Sequence, residues 1–305
     1  MIMDQTAFAG VEGEERPMWT ADRWKEYELL DCGGGERLER WGKQILIRPD
    51  PQAIWRRGGH PLWKKPDAIY HRSDKGGGSW QIFHLPASWQ IHYDDLTFQV
   101  KPMNFKHTGL FPEQAANWDF IRQMVASRVA YQPCNVLNLF AYTGGATLAA
   151  AAGGASVCHV DASKGMVAWA KENARLSGLA EAPIRYIVDD CKKFIEREIR
   201  RGRRYDAIIM DPPSYGRGPS GEVWKFEESI APFLELCMGV LSEDPLFLII
   251  NSYTTGISPS VPVYLLGMTM ARRYGGTVEG GELLLPVTQS GLGLPCGHTT
   301  RWICQ

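Results

Sequence analysis

Apolar and polar positions along the chain change rhythm near residue 105. Upstream, "QILIR", "SWQIFHL" and "LTFQVKP" alternate apolar with polar residues, the period-two signature of strands with one face in a core, and turn residues separate the runs. The pattern predicts a small β-rich unit over residues 19–104. Downstream, unbroken apolar runs ("NVLNLF", "ASVCHVD", "PIRYIV", "YDAIIMD", "LFLIINS") alternate with helix-period segments ("SKGMVAWAKENARLSG", "CKKFIEREIRRG", "FEESIAPFLELCMGVL"). Unbroken runs suit strands covered on both faces, and their alternation with helices predicts an α/β fold with a parallel, doubly wound sheet over residues 105–305. Gly178 and Gly202 stand where two of the helices should stop. The last segment, "GELLLPVTQSGLGLPCGHTTRWIC", reads as two strands and a loop, a hairpin closing the sheet.

Ligands of such sheets bind beyond the carboxyl ends of the strands. The polar residues of this chain gather there. The first apolar run is followed by the small-residue turn Asn138 to Gly145, the second by Asp161, the third by Asp189 and Asp190, the fourth by Asp211 and the fifth by Asn251 and Ser252. One acid at successive strand ends makes a crescent of acceptors. Each member has a plain alternative: Gly144 and Gly145 as a tight connection, and Asp161 with Ser163, or Asp190, as helix caps. A nicotinamide site also uses a glycine turn and an acid about 20 residues on. Here GxGxxG is absent, and Gly153-Gly154 comes too late. An acid at the third strand end and "DPP" at the fourth suit a compact zwitterionic nucleoside better than a pyrophosphate.

Composition narrows the setting. A formal net charge of −1 argues against binding nucleic acid by bulk electrostatics alone. Two local features remain: seven basic residues in "CKKFIEREIRRGRR" and the mixture of tryptophan with cations in "WRRGGHPLWKK", the latter as in grooves that stack bases. Solvated helix face and β-unit packing are their ordinary alternatives. Seven cysteines without a CxxC pair suit reduced thiols in a cytoplasm, and the seven histidines show no metal-ligand spacing, so no metal site is predicted. No apolar run reaches the roughly 18 to 20 residues of a membrane span. Residues 1–18 are acidic, without a basic stretch before an apolar one, and read as a disordered or extended leader. Nothing in the pattern points to an oligomeric state.

Four segments in order, "HTGLFPEQAANW", "LNLFAYTGGATL", "VDASKGMVAWAKENARLSG" and "MDPPSYG", carry a resemblance. From about residue 105 the chain resembles the class I S-adenosylmethionine-dependent methyltransferases, with their Rossmann-like sheet. More narrowly, it resembles the ribosomal-RNA large-subunit methyltransferases that carry a small N-terminal β-rich domain. The resemblance implies S-adenosylmethionine as cofactor, Asp161 on the ribose hydroxyls and Asp190 on the adenine amine. It passes the turn of Phe140, Ala141, Tyr142 and Gly144 under the methionine moiety and brings in Phe111 and Gln114 from the preceding segment. Asn138, Ala162, Ser163 and Asp211 complete the implied cofactor set.

The acceptor side falls to Asp211, Pro212, Ser214 and Tyr215. In methyltransferases that act on planar nitrogen, an Asp/Asn-Pro-Pro-aromatic turn positions the acceptor; here Ser214 stands fourth and the ring follows as Tyr215. The glycines beyond would free the loop to close. Carbon-5 methylation of a pyrimidine needs a cysteine thiolate, yet Ser214 and Ser252 occupy the neighbourhoods where related enzymes place it, leaving Cys296 of "GLPCGH" as a remote candidate. The expected reaction is therefore methylation of a base in RNA, ribosomal RNA foremost, at nitrogen or oxygen. Methylation of a small molecule or protein, or a non-catalytic module binding RNA or cofactor, are the alternatives.

Overall fold

Alternation in the first hundred residues becomes antiparallel pairing. A computed structural model of the chain describes residues 17–73, 77–217 and 223–304. It opens with a short strand, β1 (Met18–Thr20), followed by the meander β2 (Tyr27–Gly33), β3 (Glu36–Trp41) and β4 (Gln44–Pro49). Strand β5 (Ala68–Arg72) joins β4 in parallel and β6 (Gly78–Ile82) completes a five-stranded sheet. A separate hairpin, β7 (Trp89–Tyr93) and β8 (Leu96–Val100), follows. The leader expected over 1–18 lies outside the described residues except at Pro17 and Met18, and Met18 opens β1.

The sheet carries a charged interior. Arg48 donates to both Glu39 oxygens (2.6 and 2.7 Å), and Tyr27 donates its hydroxyl to Glu39 at 2.9 Å, all three being buried. Burial alone would raise the Glu39 carboxyl, but Arg48 and Arg37 hold it at about 2. A buried ion pair of this kind contributes little net stability, whereas loss of one partner strands a charge.

Residues 105 onward alternate as the apolar runs predict. Helix α1 (Ala115–Val129) leads to β9 (Asn135–Leu139), α2 (Gly145–Ala152), β10 (Ser156–Asp161), α3 (Lys164–Leu176), β11 (Ile184–Val188), α4 (Cys191–Arg200) and β12 (Ala207–Met210). A small hairpin, β13 (Tyr215–Arg217) and β14 (Val223–Lys225), precedes α5 (Phe226–Met238), β15 (Phe247–Ser252), α6 (Ser260–Leu266) and the closing pair β16 (Thr277–Pro286) and β17 (Gly293–Ile303). The sheet order is β1-β16-β17-β15-β12-β9-β10-β11. The strands from β15 to β11 are parallel, β17 is antiparallel to both neighbours, and β1 lies parallel to β16 at the edge. Gly178 and Gly202 follow the ends of α3 and α4 in the left-handed region (φ 71° and 65°).

Successive strand residues feed opposite faces. Val136, Val157, Ile209 and Ile249 pack against α1 and α2, while Leu137, Val160, Met210 and Ile250 pack against α4 and α5. The first of these cores continues into the N-terminal unit through Tyr27, Trp41, Tyr93 and Phe98. Trp118 of α1 is the hub, with ring centroids 5.1 Å from Phe98, 5.6 Å from Tyr93 and 6.0 Å from Trp24. Hydrogen bonds from the backbone of Thr97 and Gln99 to Ser177 and Asn173 (2.9 Å each) tie β8 to the end of α3.

The closing hairpin fixes where the small unit sits. Ser252 at the end of β15 pairs with His298, so residues 286–297 project past the carboxyl ends of the parallel strands. There Thr288 and Gln289 donate to the carbonyls of Leu29 and Leu30 on β2. The β-rich unit therefore docks at the sheet edge where ligands of such folds bind.

Candidate active site

Strand order reverses at β9, whose neighbours are β10 on one side and β12 on the other. A recess opens above that point. Its walls include Phe111, Gln114, Asn138, Phe140, Ala141, Tyr142, Gly145, Asp211 and Asn251. The turn after β9 is locally strained: Phe140 and Tyr142 hold φ of 54° and 50°, where side chains larger than glycine are uncommon. Gly144 (φ 91°) opens α2, and a methyl there would stand 3.0 Å from the Ala170 Cβ.

Polar bonds hold this turn. Asp161 Oδ2 accepts from Tyr142 N (2.9 Å) and Oδ1 from Ser163 N (2.8 Å). Burial raises the Asp161 carboxyl, and those two donors oppose the rise. Beneath, buried Asn138 donates to Thr147 Oγ1 (2.9 Å), which pairs with His159 Nδ1 (2.9 Å). Burial lowers His159 to about 3, so the ring is neutral. Asn138 thus anchors α2 to the strand.

Asp190 caps α4, accepting at Oδ1 from Lys193 N (2.9 Å), and Ser163 caps α3, accepting from Met166 N (3.4 Å). Capping is therefore observed for both. It leaves Asp190 Oδ2 without a hydrogen bond among the described residues. None of Asp161, Ala162, Ser163 and Asp190 lines the recess; Asp161 adjoins it through its bond to Tyr142, and Ala162 and Ser163 are exposed.

The acceptor segment is built differently. Asp211 follows β12 and faces the recess with no hydrogen bond to its carboxylate among the described residues. Burial, with repulsion from Glu113, raises this carboxyl to about 7. Pro212 is buried, while Pro213 and Ser214 are exposed, and Ser214 Oγ accepts from Thr254 Oγ1 at 2.9 Å. Tyr215 starts β13 and is 53% exposed. The ring that holds the turn is one that sequence reasoning missed: Trp224 of β14 donates its indole N–H to Pro213 O (2.7 Å). It also packs 5.1 Å from Phe140 and 5.4 Å from Phe233. Of the glycines expected to free this loop, Gly216 lies in β13, and Gly218 and Gly221 lie outside the described residues.

Behind the recess runs a buried network that also went unread. Gln114 donates to the Tyr253 hydroxyl (2.8 Å), Tyr253 donates to Glu113 Oε1 (3.3 Å), and Asn117 donates to both Gln114 (2.9 Å) and Asn251 (3.0 Å). Glu113 Oε2 is buried without a partner among the described residues, and burial raises that carboxyl. Cys296 is half-buried, its Sγ donates to Leu294 O at 3.4 Å, and burial pushes its thiol well up.

These residues fit a nucleoside with an attached amino acid. Each Asp161 oxygen takes one backbone donor, so a second acceptor site remains on each, enough for a vicinal diol. The free Asp190 oxygen suits an amine, and the recess beside the strained turn admits a compact polar chain. Among the described residues, no group of three metal-ligating side chains occurs and no helix is long and apolar enough to cross a membrane.

Comparison with known proteins agrees with the geometry. The pattern of a family described as S-adenosylmethionine-dependent methyltransferase matches residues 69–237, more than half of the chain. Among solved structures, a SAM-dependent methyltransferase from Agrobacterium tumefaciens is 38% identical with a TM-score of 0.89, the match covering 96% of this chain and 95% of that one. A putative SAM-dependent methyltransferase from Streptococcus mutans, 18% identical with a TM-score of 0.69, shares the fold over 92% of this chain and 76% of that one. A curated relative, the ribosomal RNA large subunit methyltransferase K/L of Methylococcus capsulatus, is 39% identical over 50% of this chain and 19% of that protein. Its counterpart from Shewanella frigidimarina is 35% identical over 48% and 20%. The chain spans about a fifth of the length of these curated relatives. The chain belongs to the S-adenosylmethionine-dependent methyltransferase family, and its cofactor is S-adenosylmethionine.

Proposed function

We propose that this S-adenosylmethionine-dependent methyltransferase methylates a base in RNA, ribosomal RNA foremost, at nitrogen rather than at pyrimidine carbon 5. The observation that carries the reading is Asp211: a carboxylate without a hydrogen bond among the described residues, at the end of a central strand, facing the recess and followed by two prolines. The bound cofactor supplies an electrophilic methyl group on a sulfonium. Asp161 takes the ribose hydroxyls, Asp190 the adenine amine, and the Phe140–Gly144 turn with Phe111 and Gln114 encloses the remainder. Asp211 accepts a hydrogen bond from an N–H of the acceptor and orients the nitrogen lone pair in line with the methyl group, the alignment on which such a displacement depends. Trp224 holds the Pro213 carbonyl, which fixes the path of the turn and leaves the Pro212 carbonyl for a second N–H.

Nitrogen is favoured by the state of the thiols. A carbon-5 mechanism needs a thiolate, whereas burial keeps Cys296 protonated. RNA is favoured by the names of the curated relatives, and such an enzyme acts in the cytoplasm, where ribosomes are made. Residues 19–104 then form an accessory domain beside a methyltransferase domain of 105–305. The near-neutral net charge of −1 supports a second reading, a small-molecule or protein acceptor.

Comparison of modified nucleosides in ribosomal RNA from a deletion strain and its parent tests the reading. One methylated base should disappear on deletion and return with the wild-type gene but not with Asp211→Ala. An unchanged nucleoside profile sinks the RNA reading and promotes the second.

A further inference from the structure

Two stretches of the chain are rich in cations, and the fold treats them in opposite ways. On α4 and just after it, Arg197 pairs with Asp189, Arg201 with Glu198, and Arg204 donates to the carbonyls of Arg203 and Gly239. That run is largely consumed by the protein's own acceptors. In residues 54–65 of the β-rich unit, Arg57 pairs with Glu36, and the other three cations keep their charges for solvent. Ile54 is 86% exposed, every residue from Ile54 to Gly59 is exposed, and Arg56, Lys64 and Lys65 have no side-chain partner among the described residues. The segment holds four arginines and lysines and no acid.

An exposed segment whose regular structure is one 3₁₀ turn, Pro61–Lys64, is ordinarily loose. This one is pinned. Buried Asp31 accepts from the backbone of Gly58 (3.2 Å) and His60 (3.3 Å) and from the Trp63 indole (2.7 Å). Trp55 donates its indole N–H to Cys32 O (3.0 Å), and Gly34 N donates to Trp55 O (2.6 Å). The Arg57 guanidinium lies 4.1 Å from the centre of the Trp63 ring, a preformed stack. The two indoles and the Arg57 guanidinium are already fixed, so they have little side-chain entropy left to lose on binding.

The chemistry selects the partner. Half-exposed Trp55, the Arg57–Trp63 stack and unpaired cations together suit an anionic polymer whose flat faces are free to stack, which is single-stranded nucleic acid. Position agrees, because Gln289 beside Gly58 belongs to the connection between β16 and β17 that projects from the carboxyl edge of the main sheet. We propose that residues 54–65 are a preorganised platform that binds single-stranded RNA beside the recess. The proposal rests on the RNA reading for the identity of its ligand.

The test is fluorescence anisotropy of a labelled single-stranded RNA of about twelve nucleotides with the full chain across a salt series. The triple variant Arg56→Glu, Lys64→Glu, Lys65→Glu should weaken binding at least about tenfold and lower the salt slope by about 2. Its melting temperature and its affinity for S-adenosylhomocysteine should stay at wild-type values. Reversing Lys192 and Arg200 on α4 should leave RNA affinity within about twofold. Equal loss in the α4 variant, no loss in the triple variant, tighter binding of a duplex of the same length, or displacement of the RNA by a polyglutamate peptide at equal charge would each overturn the platform. The two readings fail separately. A wild-type chain that binds the oligonucleotide through this loop but methylates no RNA keeps the platform and loses the RNA-methylation reading. A triple variant that methylates ribosomal RNA with unchanged KM does the reverse.

Discussion

Asp161 and Asp211 end the two strands that flank β9, yet their surroundings differ. Asp161 is held by two backbone N–H groups supplied by its own turn and by the strand-to-helix junction. Asp211 has no such donors among the described residues, and burial, with repulsion from nearby Glu113, raises its carboxyl to about 7. On the cofactor side the chain arranges the acceptor oxygens itself. On the other side it leaves a desolvated carboxylate whose missing donor the substrate must bring. A finished site binds, whereas an unfinished one aligns what enters it.

The widest gap between the two should appear on removal of each side chain. Asp211→Ala should lower transfer by about 100-fold or more, the cost of a misplaced acceptor, while S-adenosylhomocysteine affinity by calorimetry stays within about tenfold. The ionised form does the work, so turnover should climb as pH passes about 7 and then level off. Stability should move the opposite way. The native state holds this proton more tightly than the unfolded chain does, so the raised carboxyl makes stability fall as pH rises from about 4 to 7. Asp211→Asn should therefore melt higher than wild type at pH 8 and no higher at pH 4. Equal melting shifts at both pH values would show that Asp211 is an ordinary surface acid.

Asp161→Ala should weaken S-adenosylhomocysteine binding by about 10- to 100-fold, through lost charge-assisted hydrogen bonds, and should lower stability because Tyr142 N loses its acceptor. Asp190→Ala should do less, since its Oδ1 is spent on a helix cap. If Asp190→Ala matched Asp161→Ala in calorimetry, the site would hold the adenine as strongly as the ribose.

The contrast also explains what was readable in advance. The five parallel strands and the closing hairpin show in sequence because burial on both faces leaves unbroken apolar runs, and because Asp161, Asp189-Asp190 and Asp211 punctuate them. The meander of β2 and β3 does not, because Arg37 and Glu39 look like solvent residues and are buried, Glu39 pairing with both Arg37 and Arg48. Gln114 and Tyr253 meet across 139 positions, a pairing only the assembled sheet creates. Trp224 escaped for the same reason: its partners Pro213 and Phe140 come from different strand ends. A search for an aromatic residue inside the short segment between "DPP" and the next helix would have found it.

Trp224 and Tyr215 sharpen the acceptor half. Trp224→Ala removes a hydrogen bond to the turn and two ring contacts, so it should lower kcat by about tenfold through misalignment. Tyr215→Ala should act on acceptor KM alone, by about 1 kcal/mol if the half-exposed ring stacks on a base. A larger kcat effect for Tyr215 than for Trp224 would put the working ring at the position that follows "DPPS" and leave Trp224 as packing.

The smallest expected effect belongs to Cys296. Its Sγ donates to Leu294 O, and burial pushes the thiol well above its ordinary range, so near neutral pH it is a protonated group. Addition to a pyrimidine ring needs the thiolate, and none of the neighbours that raise this thiol, Glu113, Asp50 and Glu39 among them, would help to form it. Cys296→Ser should therefore keep turnover within about twofold of wild type, a change at the limit of what a rate comparison resolves. Incubation with RNA carrying 5-fluoropyrimidines should yield no complex that survives denaturation. A trapped complex lost in Cys296→Ser would move the reaction to carbon 5, and would mean that substrate entry deprotonates this thiol and completes the unfinished side in a second way.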